Sequence, residues 1–570
     1  MARKFVNWRT NIILFFIIII GAAIAGRLFF LQILQRKLYE AQALGQQTDF
    51  NKITGNRGEI FCQNSQQTKG AEGASGELKS LALNKDNWTL SVNPYDLKDK
   101  DAFAEVLSKG INQTKEQILA KLNTDSVYVV LEKNISSDNL AEIKKLNLKY
   151  LVWQNEPERF YPQGQMASQT IGFLGGQGSG QYGIEGYYDD VLRGKNGIQQ
   201  EKSGLDSIFS GDARLSLDGS NVYLTIDYNI QFQAETLLKQ EQKKDDIDSG
   251  QIIVMRPDTG KILAIADFPN FDPNNYSKVK DLSVFQNSVT QKLFEPGSIM
   301  KPFTMASAIN EGKITPDTTY IDTGFVTIGP DTLHNFSNEK MGEQTMTGVL
   351  EHSLNTGAVF AQQKLDNKTF FSYLDKFGFF EKTGVDLQGE TYSSNTALKN
   401  GPDFNYATAS FGQGIELTPI QIATGFCALA NGGRMVKPYV VDRINENYTK
   451  PEVSQPIISQ QTASQINTML ISVVDNGFNG VAKIPGYYFA GKTGTAQIAL
   501  KNGRGYEPDK TIQSFVGYGP ALNPQFLILV KLDNPKVPMS ALSAVPVFKQ
   551  LAQYILNYWQ IPPDYDVNQK

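Results

Sequence analysis

Hydrophobic and polar positions along the chain fall into three textures. From Ile12 to Leu34 the run is apolar, interrupted only by Arg27 and Gln32. A helix rising about 1.5 Å per residue over that length crosses the ~30 Å hydrocarbon core of a bilayer. The second texture is mixed. The Gln/Ser/Gly stretch at 62–80 reads as a loop, WTLSVNP at 88–94 as a strand, and 101–148 as helix-like segments with Lys and Glu on one face. The glycine-rich tract at 172–197 reads as loop or linker material. Around Asp218-Gly219-Ser220 the apolar periodicity tightens, and a domain boundary is expected near 217.

Past that boundary, QIIVMR (251–256) and KILAIADF (261–268) flank Pro-Asp-Thr-Gly, a hairpin signature. A second hairpin is predicted around 512–533, where IQSFVGYGP and QFLILVKLD are joined by Ala-Leu-Asn-Pro. Mostly helical patterns lie between the two, and PVFKQLAQYILNYWQ from 546 is an amphipathic helix. Strands at both ends with helices between predict an α+β fold, one antiparallel sheet assembled from distant segments and covered by helices.

Composition narrows the classes of function. With 41% hydrophobic and 20% charged residues the 570-residue chain is expected to fold into two to four domains. A net charge of −4, with Lys and Arg spread along the chain, gives no basic face for nucleic acid. Two cysteines, Cys62 and Cys427, and two histidines, His334 and His352, offer no zinc-like spacing. Arg3, Lys4 and Arg9 ahead of the apolar run favour a cytoplasmic N-terminus and an external remainder. Ala23-Ile24-Ala25 resembles a signal-peptide cleavage site, but the run continues past it, which favours an anchor.

GYYFAGKT at 486–493 fits the GxxxxGK[ST] pattern of a phosphate-binding loop. Such a loop needs a pliant turn and a following helix. Tyr487, Tyr488 and Phe489 are instead expected in a strand, and Gly494 between two threonines opposes helix initiation. FLILVKLD at 526–533 imitates a Walker B strand, and that is the NTPase reading's best support.

The same lysine fits acyl-transfer chemistry. A serine with a lysine three residues later on a helix places an amine beside a hydroxyl, the pairing that activates a nucleophile. SxxK occurs at Ser277–Lys280, Ser298–Lys301 and Ser337–Lys340, about the number chance provides in a chain of this length. Context separates them. Ser277 and Ser337 lie in loop-like polar surroundings, whereas Pro296-Gly297 breaks the chain before Ser298 and Pro302 suits a first helical turn. An ordinary N-cap serine is the plain alternative there. KTG occurs at 382–384, where a helix cap explains it, and at 492–494, at the end of an apolar strand. Between the two reactive candidates stands Ser353-Leu354-Asn355. Taken in order, SxxK, SxN and KTG are the signature of serine acyl-transferases acting on D-alanyl peptides and of related β-lactamases.

With that triple, RLFFLQ (27–32), NRGEIF (56–61), ERFYP (158–162), GIEGYYDDVLRG (183–194), LTIDYNIQ (224–231), EPGSIMKPF (295–303) and GQGIELTPIQIA (412–423) make the chain resemble the class B penicillin-binding proteins, monofunctional peptidoglycan D,D-transpeptidases. The resemblance implies a penicillin-binding, serine β-lactamase-like transpeptidase domain at 218–562 on an elongated pedestal or dimerisation-like domain at 40–217. It also implies a cytoplasmic tail at 1–11, an anchor at 12–34 and a C-terminal tail at 563–570. The protein is then expected in the cell (inner) membrane as a single-pass protein, with its catalytic domain outside.

The resemblance assigns Ser298 as nucleophile and Lys301 as base, neutral through burial and the charge of Lys492. Ser353 relays protons to the leaving amine, Asn355 bonds the substrate backbone, and Lys492, Thr493 and Thr495, with Gly494 between, bind the terminal carboxylate. Backbone N–H groups of Ser298 and Thr495 form the oxyanion hole. No cofactor or metal is implied. Implied partners are donor and acceptor stem peptides, β-lactam antibiotics, and a membrane glycan polymerase with other wall-synthesis or divisome proteins, the pattern leaning toward septal synthesis. Leu354 departs from the small or polar residue usual inside SxN, and no ExxLN stretch of the hydrolytic relatives follows residue 355. A D,D-carboxypeptidase, a β-lactamase or a catalytically silent penicillin-binding scaffold are the alternative readings.

Overall fold

The chain's three-dimensional organisation was obtained as a computed structural model, which describes residues 50–53, 55–64, 77–155, 157–195, 197–200, 217–500 and 505–567, together with Phe15, Ile18, Ile20 and Gly21. The expected membrane span at 12–34 lies outside the described residues except for those last four. Among the described residues no helix is long and apolar enough to cross a membrane.

Two compact units divide the chain, Met1–Arg57 with Arg193–Gly219, and Gly58–Leu192 with Ser220–Lys570. In the first, Phe50–Ile53 pairs antiparallel with Gly197–Gln200, and Lys195 bridges Leu217.

In the second unit, Ile60–Asn64 runs parallel to Val222–Asp227 within a six-stranded sheet that also takes in Glu77–Lys85 and Val441–Ile444. A three-stranded sheet has Trp88–Val92 at its centre between Val129–Ile135 and Leu151–Asn155. Helices Lys100–Leu107, Lys115–Leu122 and Ser137–Lys145 accompany it, and Leu90, Val92, Leu107, Ile118 and Leu131 share a core of their own. Each of these helices starts on a side-chain cap, Asp99, Thr114 or Ser136, that takes a backbone N–H otherwise left without a partner.

Another sheet of this unit has five strands, β1 (Ser249–Met255), β2 (Ile262–Phe268), β3 (Ala490–Ala499), β4 (Tyr506–Gly519) and β5 (Phe526–Asp533), in the order β2-β1-β5-β4-β3. All neighbours are antiparallel. Both predicted hairpins form, β1 with β2 and β4 with β5.

Strand alternation decides what each face meets. Ile252 and Val254 of β1, with Phe526, Ile528 and Val530 of β5, pack with Ile230, Leu237, Phe548, Leu551 and Ile555. These last come from helices α1 (Tyr228–Asp245) and α2 (Ala544–Tyr558). Ile253, Met255, Leu527 and Leu529 face the other way, into the core that holds Ile299, Met300 and Phe303. A sheet buried on both faces reads as continuous apolar runs, which is why KILAIADF and FLILVKLD show little alternation. Strand β3 is the edge, and its free side is where a cleft can open.

One expectation shifts at that edge. Tyr487, Tyr488 and Phe489 precede β3, which begins at Ala490. They anchor the approach to the strand: Tyr487 Oη donates to Ile561 O at 2.6 Å, Tyr488 N to Asp564 Oδ2 at 2.9 Å, and Phe489 is buried against Phe526 and Phe548. Aromatic residues favour strands because they fit a half-buried pleated surface, and here side-chain anchoring provides the same burial without a ladder.

Candidate active site

The turn that carries Ser298 begins where Phe294 bridges Leu417 in both directions, N to O at 2.9 and 3.0 Å. Gly297 N then donates to Gly412 O at 3.0 Å, and Gly297 has φ +60 with Thr495 O only 3.1 Å from where a Cβ would sit. A side chain at 297 would therefore meet both backbone strain and the β3 strand. Gly297–Met300 form a 3-10 turn that runs directly into helix α3 (Lys301–Asn310), with Pro302 in its first turn as expected. Phe303 fixes this helix, its ring edge-on to Phe377, Phe379 and Phe426 at 4.9, 4.9 and 5.0 Å.

Ser353 sits between helices α4 (Met346–Glu351) and α5 (Asn355–Gln363), at φ +58. A left-handed serine is uncommon. The turn aims both its carbonyl and its hydroxyl at one amine, since Lys301 Nζ bonds Ser353 O and lies 3.2 Å from Ser353 Oγ. Leu354 is buried and its N donates to Val349 O at 3.0 Å, so the apolar residue inside SxN is a core contact that holds the turn. Thr356 ties it from the other side, giving its Oγ1–H to the buried Asp322 at 2.8 Å.

The three motifs converge. Lys301 Nζ is 3.0 Å from Ser298 Oγ, and Lys492 Nζ is 2.9 Å from Ser353 Oγ. Two lysines thus reach the same hydroxyl. Lys492 also donates to Thr493 O and Oγ1 at 3.1 and 3.3 Å. Both lysines are fully buried, at 0% exposure. Burial, reinforced by the Lys492 charge, pushes the Lys301 amine well below its ordinary value, and burial brings Lys492 down to about 7. The Lys301 amine therefore gives up its proton far more readily than an ordinary lysine and is placed to accept the hydroxyl proton of Ser298.

A cavity of about 600 Å³ opens over these groups. Ser298, Ser353, Asn355, Thr493 and Thr495 line it, with Lys301 and Lys492 buried beneath. Asn355 Nδ2 donates to His334 O at 2.9 Å, and Thr495 Oγ1 lies 3.5 Å from Ser540 Oγ. Gly494 contributes closeness: a Cβ there would come within 2.4 Å of Ser514 Oγ and 3.0 Å of Ile299 Cγ2 and Pro296 O.

The competing motifs lie elsewhere. Ser277 belongs to a 3-10 segment, Pro273–Lys278. Lys382-Thr383-Gly384 is not a helix cap: the preceding helix ends at Lys376, and the Glu390 carboxylate accepts from Thr383 N and Oγ1 at 2.7 and 2.6 Å and from Gly384 N at 3.0 Å. A strand, not a helix, follows Lys492-Thr493, which removes the NTPase reading's structural basis.

Other residues around the cleft lie outside the three motifs. Glu295 Oε1 accepts from Gly414 N and Oε2 from Tyr506 Oη, both at 3.0 Å, tying the turn that carries Ser298 to the 412–414 loop and to β4. Gln413, His352 and Phe478 line the cavity. Glu295 and Gln413 lie within EPGS and GQG, the one available signal; nothing in the pattern points to Phe478.

Residues 250–553 match the family described as penicillin binding protein transpeptidase domain, and residues 52–224 the penicillin-binding protein dimerisation domain. The chain is 32% identical over 472 residues to stage V sporulation protein D of Bacillus subtilis, covering 80% of this chain and 73% of that protein. It is 28% identical to the probable peptidoglycan D,D-transpeptidase PbpC of Pseudomonas aeruginosa, over 98% of this chain and 96% of that one. The crystal structure of penicillin binding protein 3 from Mycobacterium tuberculosis, complexed with aztreonam, shares the fold at a TM-score of 0.69 and 24% identity, over 91% of this chain and 99% of that one.

Proposed function

Because the chain belongs to the penicillin-binding protein transpeptidase family, we propose a residue-level mechanism in which Ser298 is the nucleophile of a serine D,D-transpeptidase. The protein is a class B penicillin-binding protein, an enzyme of peptidoglycan cross-linking that β-lactams inhibit by acylation. Carrying the proposal is one observation: a fully buried lysine amine, its proton affinity lowered by that burial, 3.0 Å from a serine hydroxyl at the head of a helix.

In the first half-reaction Ser298 Oγ forms a bond to the carbonyl carbon of the penultimate D-alanine of a donor stem peptide, and its proton passes to Lys301 Nζ. The amide C–N bond breaks, and the departing D-alanine amine takes a proton relayed through Ser353 Oγ, which both lysines contact. Lys492, Thr493 and Thr495 receive the terminal carboxylate, and Asn355 meets the peptide backbone. Backbone N–H groups of Ser298 and Thr495 stabilise the developing oxyanion. In the second half-reaction an acceptor amine takes the acyl group and Ser298 regains its proton.

Membrane anchoring through 12–34, with the N-terminus inside and the catalytic region outside, belongs to the same proposal, as does the division into a pedestal at 40–217 and a transpeptidase domain at 218–562. So does docking to a membrane glycan polymerase, with a lean toward septal wall synthesis.

The reaction is tested by incubating the full chain with a D-alanyl-D-alanine stem-peptide donor and an amine-bearing acceptor peptide. Release of D-alanine with formation of the linked dimer is expected, and both are lost in Ser298→Ala. D-alanine release giving only the trimmed monomer at every acceptor concentration would make the enzyme a carboxypeptidase instead.

A further inference from the structure

A polar row crosses the five-stranded sheet under the segment that leads into Ser298. Asp267 of β2 stands opposite Gln251 of β1, Gln251 opposite Lys531 of β5, Lys531 opposite Ser514 of β4, and Ser514 opposite Gly494 of β3. Directly paired residues share a face, and alternation along the strands puts this row with Ile253, Leu527 and Leu529, on the side that meets Ile299 and Phe303. Its side chains are buried, Lys531 at 6% exposure.

Lys531 is the cation of the row. Its Nζ donates to Gln251 Oε1 at 3.0 Å and to Asp533 Oδ1 at 2.5 Å, and it lies over the Phe294 ring, 5.2 Å from the centroid. At the β2 end, burial pushes the Asp267 carboxyl up to about 7 while Lys292 and Lys531 pull it down. The segment ahead of Ser298 rests on the row at two points. Phe294 covers the ammonium, its backbone held by the two bonds it exchanges with Leu417. Pro296 O lies over Gly494, 3.0 Å from where a Cβ would sit and next to Ser514 Oγ.

Stability does not account for a charge in this place. Taking an ammonium out of water is costly even when it is paired, and an apolar side chain of similar size commonly serves a core as well or better. What the ammonium adds is direction. It attracts the face of an aromatic ring and not its edge, so it fixes the tilt of Phe294 where packing alone would leave it free.

We propose that Lys531 is a positioning residue for acylation, its buried ammonium seating Phe294 and with it the segment that holds Ser298 against β3. The inference rests on the transpeptidase reading and adds a residue that lies outside the lining of the cavity. Lys531 acts on the nucleophile through Phe294, four residues ahead of Ser298.

The test uses the full chain in detergent and stopped-flow acylation by a chromogenic cephalosporin, which separates the limiting rate of acylation from the half-saturating concentration. Lys531→Met and Phe294→Leu are each expected to lower the limiting rate about tenfold, the effect of a small misplacement, and to change the half-saturating concentration by less than about twofold. Both remove one and the same contact, so the double variant is expected to be no more than about twofold slower than the slower single variant. Gln251→Met combined with Lys531→Met removes donor and acceptor together, leaves no buried acceptor of that bond unpaired, and is expected to be as slow as Lys531→Met. Losses that multiply to about a hundredfold when Lys531→Met and Phe294→Leu are combined would overturn the inference. So would an unaltered rate in either single variant, a half-saturating concentration that rises in step with the loss, or recovery of the rate when Gln251→Met is added. Absence of any acyl-enzyme from the unaltered chain would overturn the transpeptidase reading and this inference with it.

Discussion

Lys301 and Lys492 approach one hydroxyl, Ser353 Oγ, at 3.2 and 2.9 Å, and two adjacent buried ammonium ions would repel each other without solvent to screen them. Burial and the neighbouring charge lower the Lys301 amine and burial lowers Lys492 to about 7, so the pair gives up a proton more readily than two ordinary lysines would. In the proposed mechanism, reaction with a carboxylate-bearing donor requires Lys301 neutral and Lys492 charged. Lowering the pH protonates Lys301 and removes the base; raising it through about 7 discharges Lys492 and weakens carboxylate binding. The profile of kcat/KM is therefore expected to be bell-shaped, with its alkaline limb set by Lys492. Lys492→Arg, charged throughout this range, is expected to carry that limb beyond about pH 9 while lowering the maximum, because a planar guanidinium fits the site less well. An alkaline limb that stays in place would assign it to another group. At this scale the sequence was partly legible. Pro296-Gly297 and Pro302 separated Ser298 from Ser277 and Ser337, because proline and glycine act on the local backbone and leave a visible mark. The left-handed Ser353 and Phe478 were not legible, since neither residue type announces such a conformation and tertiary contacts impose it.

Strand β3 brings the third motif to the first two, and Gly494 sets how near it comes. Its missing Cβ leaves room for Ser514 Oγ, Ile299 Cγ2 and Pro296 O, which would otherwise lie at 2.4, 3.0 and 3.0 Å. Gly494→Ala is expected to push β3 away from the nucleophile turn, cutting the rate of Ser298 acylation by roughly 10- to 100-fold, as misplacement by about 1 Å does. Stopped-flow acylation by a chromogenic cephalosporin reads this, and an unchanged rate would show that strand and turn move together. The hairpins β1–β2 and β4–β5 were legible because turn residues stand between apolar runs. The start of β3 was misread because aromatic residues favour strands and anchored coil alike, and the Lys382-Thr383-Gly384 segment was misread as a cap because Glu390, seven residues beyond Thr383, supplies its partner.

Across the whole molecule, β1 pairs with β5, more than two hundred residues later in the chain, so the cleft exists only once distant segments have closed. Apolar periodicity supplied the strands and the covering helices, but their order, β2-β1-β5-β4-β3, depends on long-range pairing that no local pattern encodes. The ordered triple SxxK, SxN and KTG anticipated which groups meet because each motif is short and the fold assembles them. Ser298, held by the turn before α3 and served by Lys301, is expected to be the single acylated residue. The most direct measurement is peptide mapping by mass spectrometry after treating the full chain with benzylpenicillin. One penicilloyl adduct is expected, on the peptide containing Ser298, abolished in Ser298→Ala and formed far more slowly in Lys301→Met. An adduct on Ser277, Ser337 or Ser353, or one that persists in Ser298→Ala, would contradict the claim.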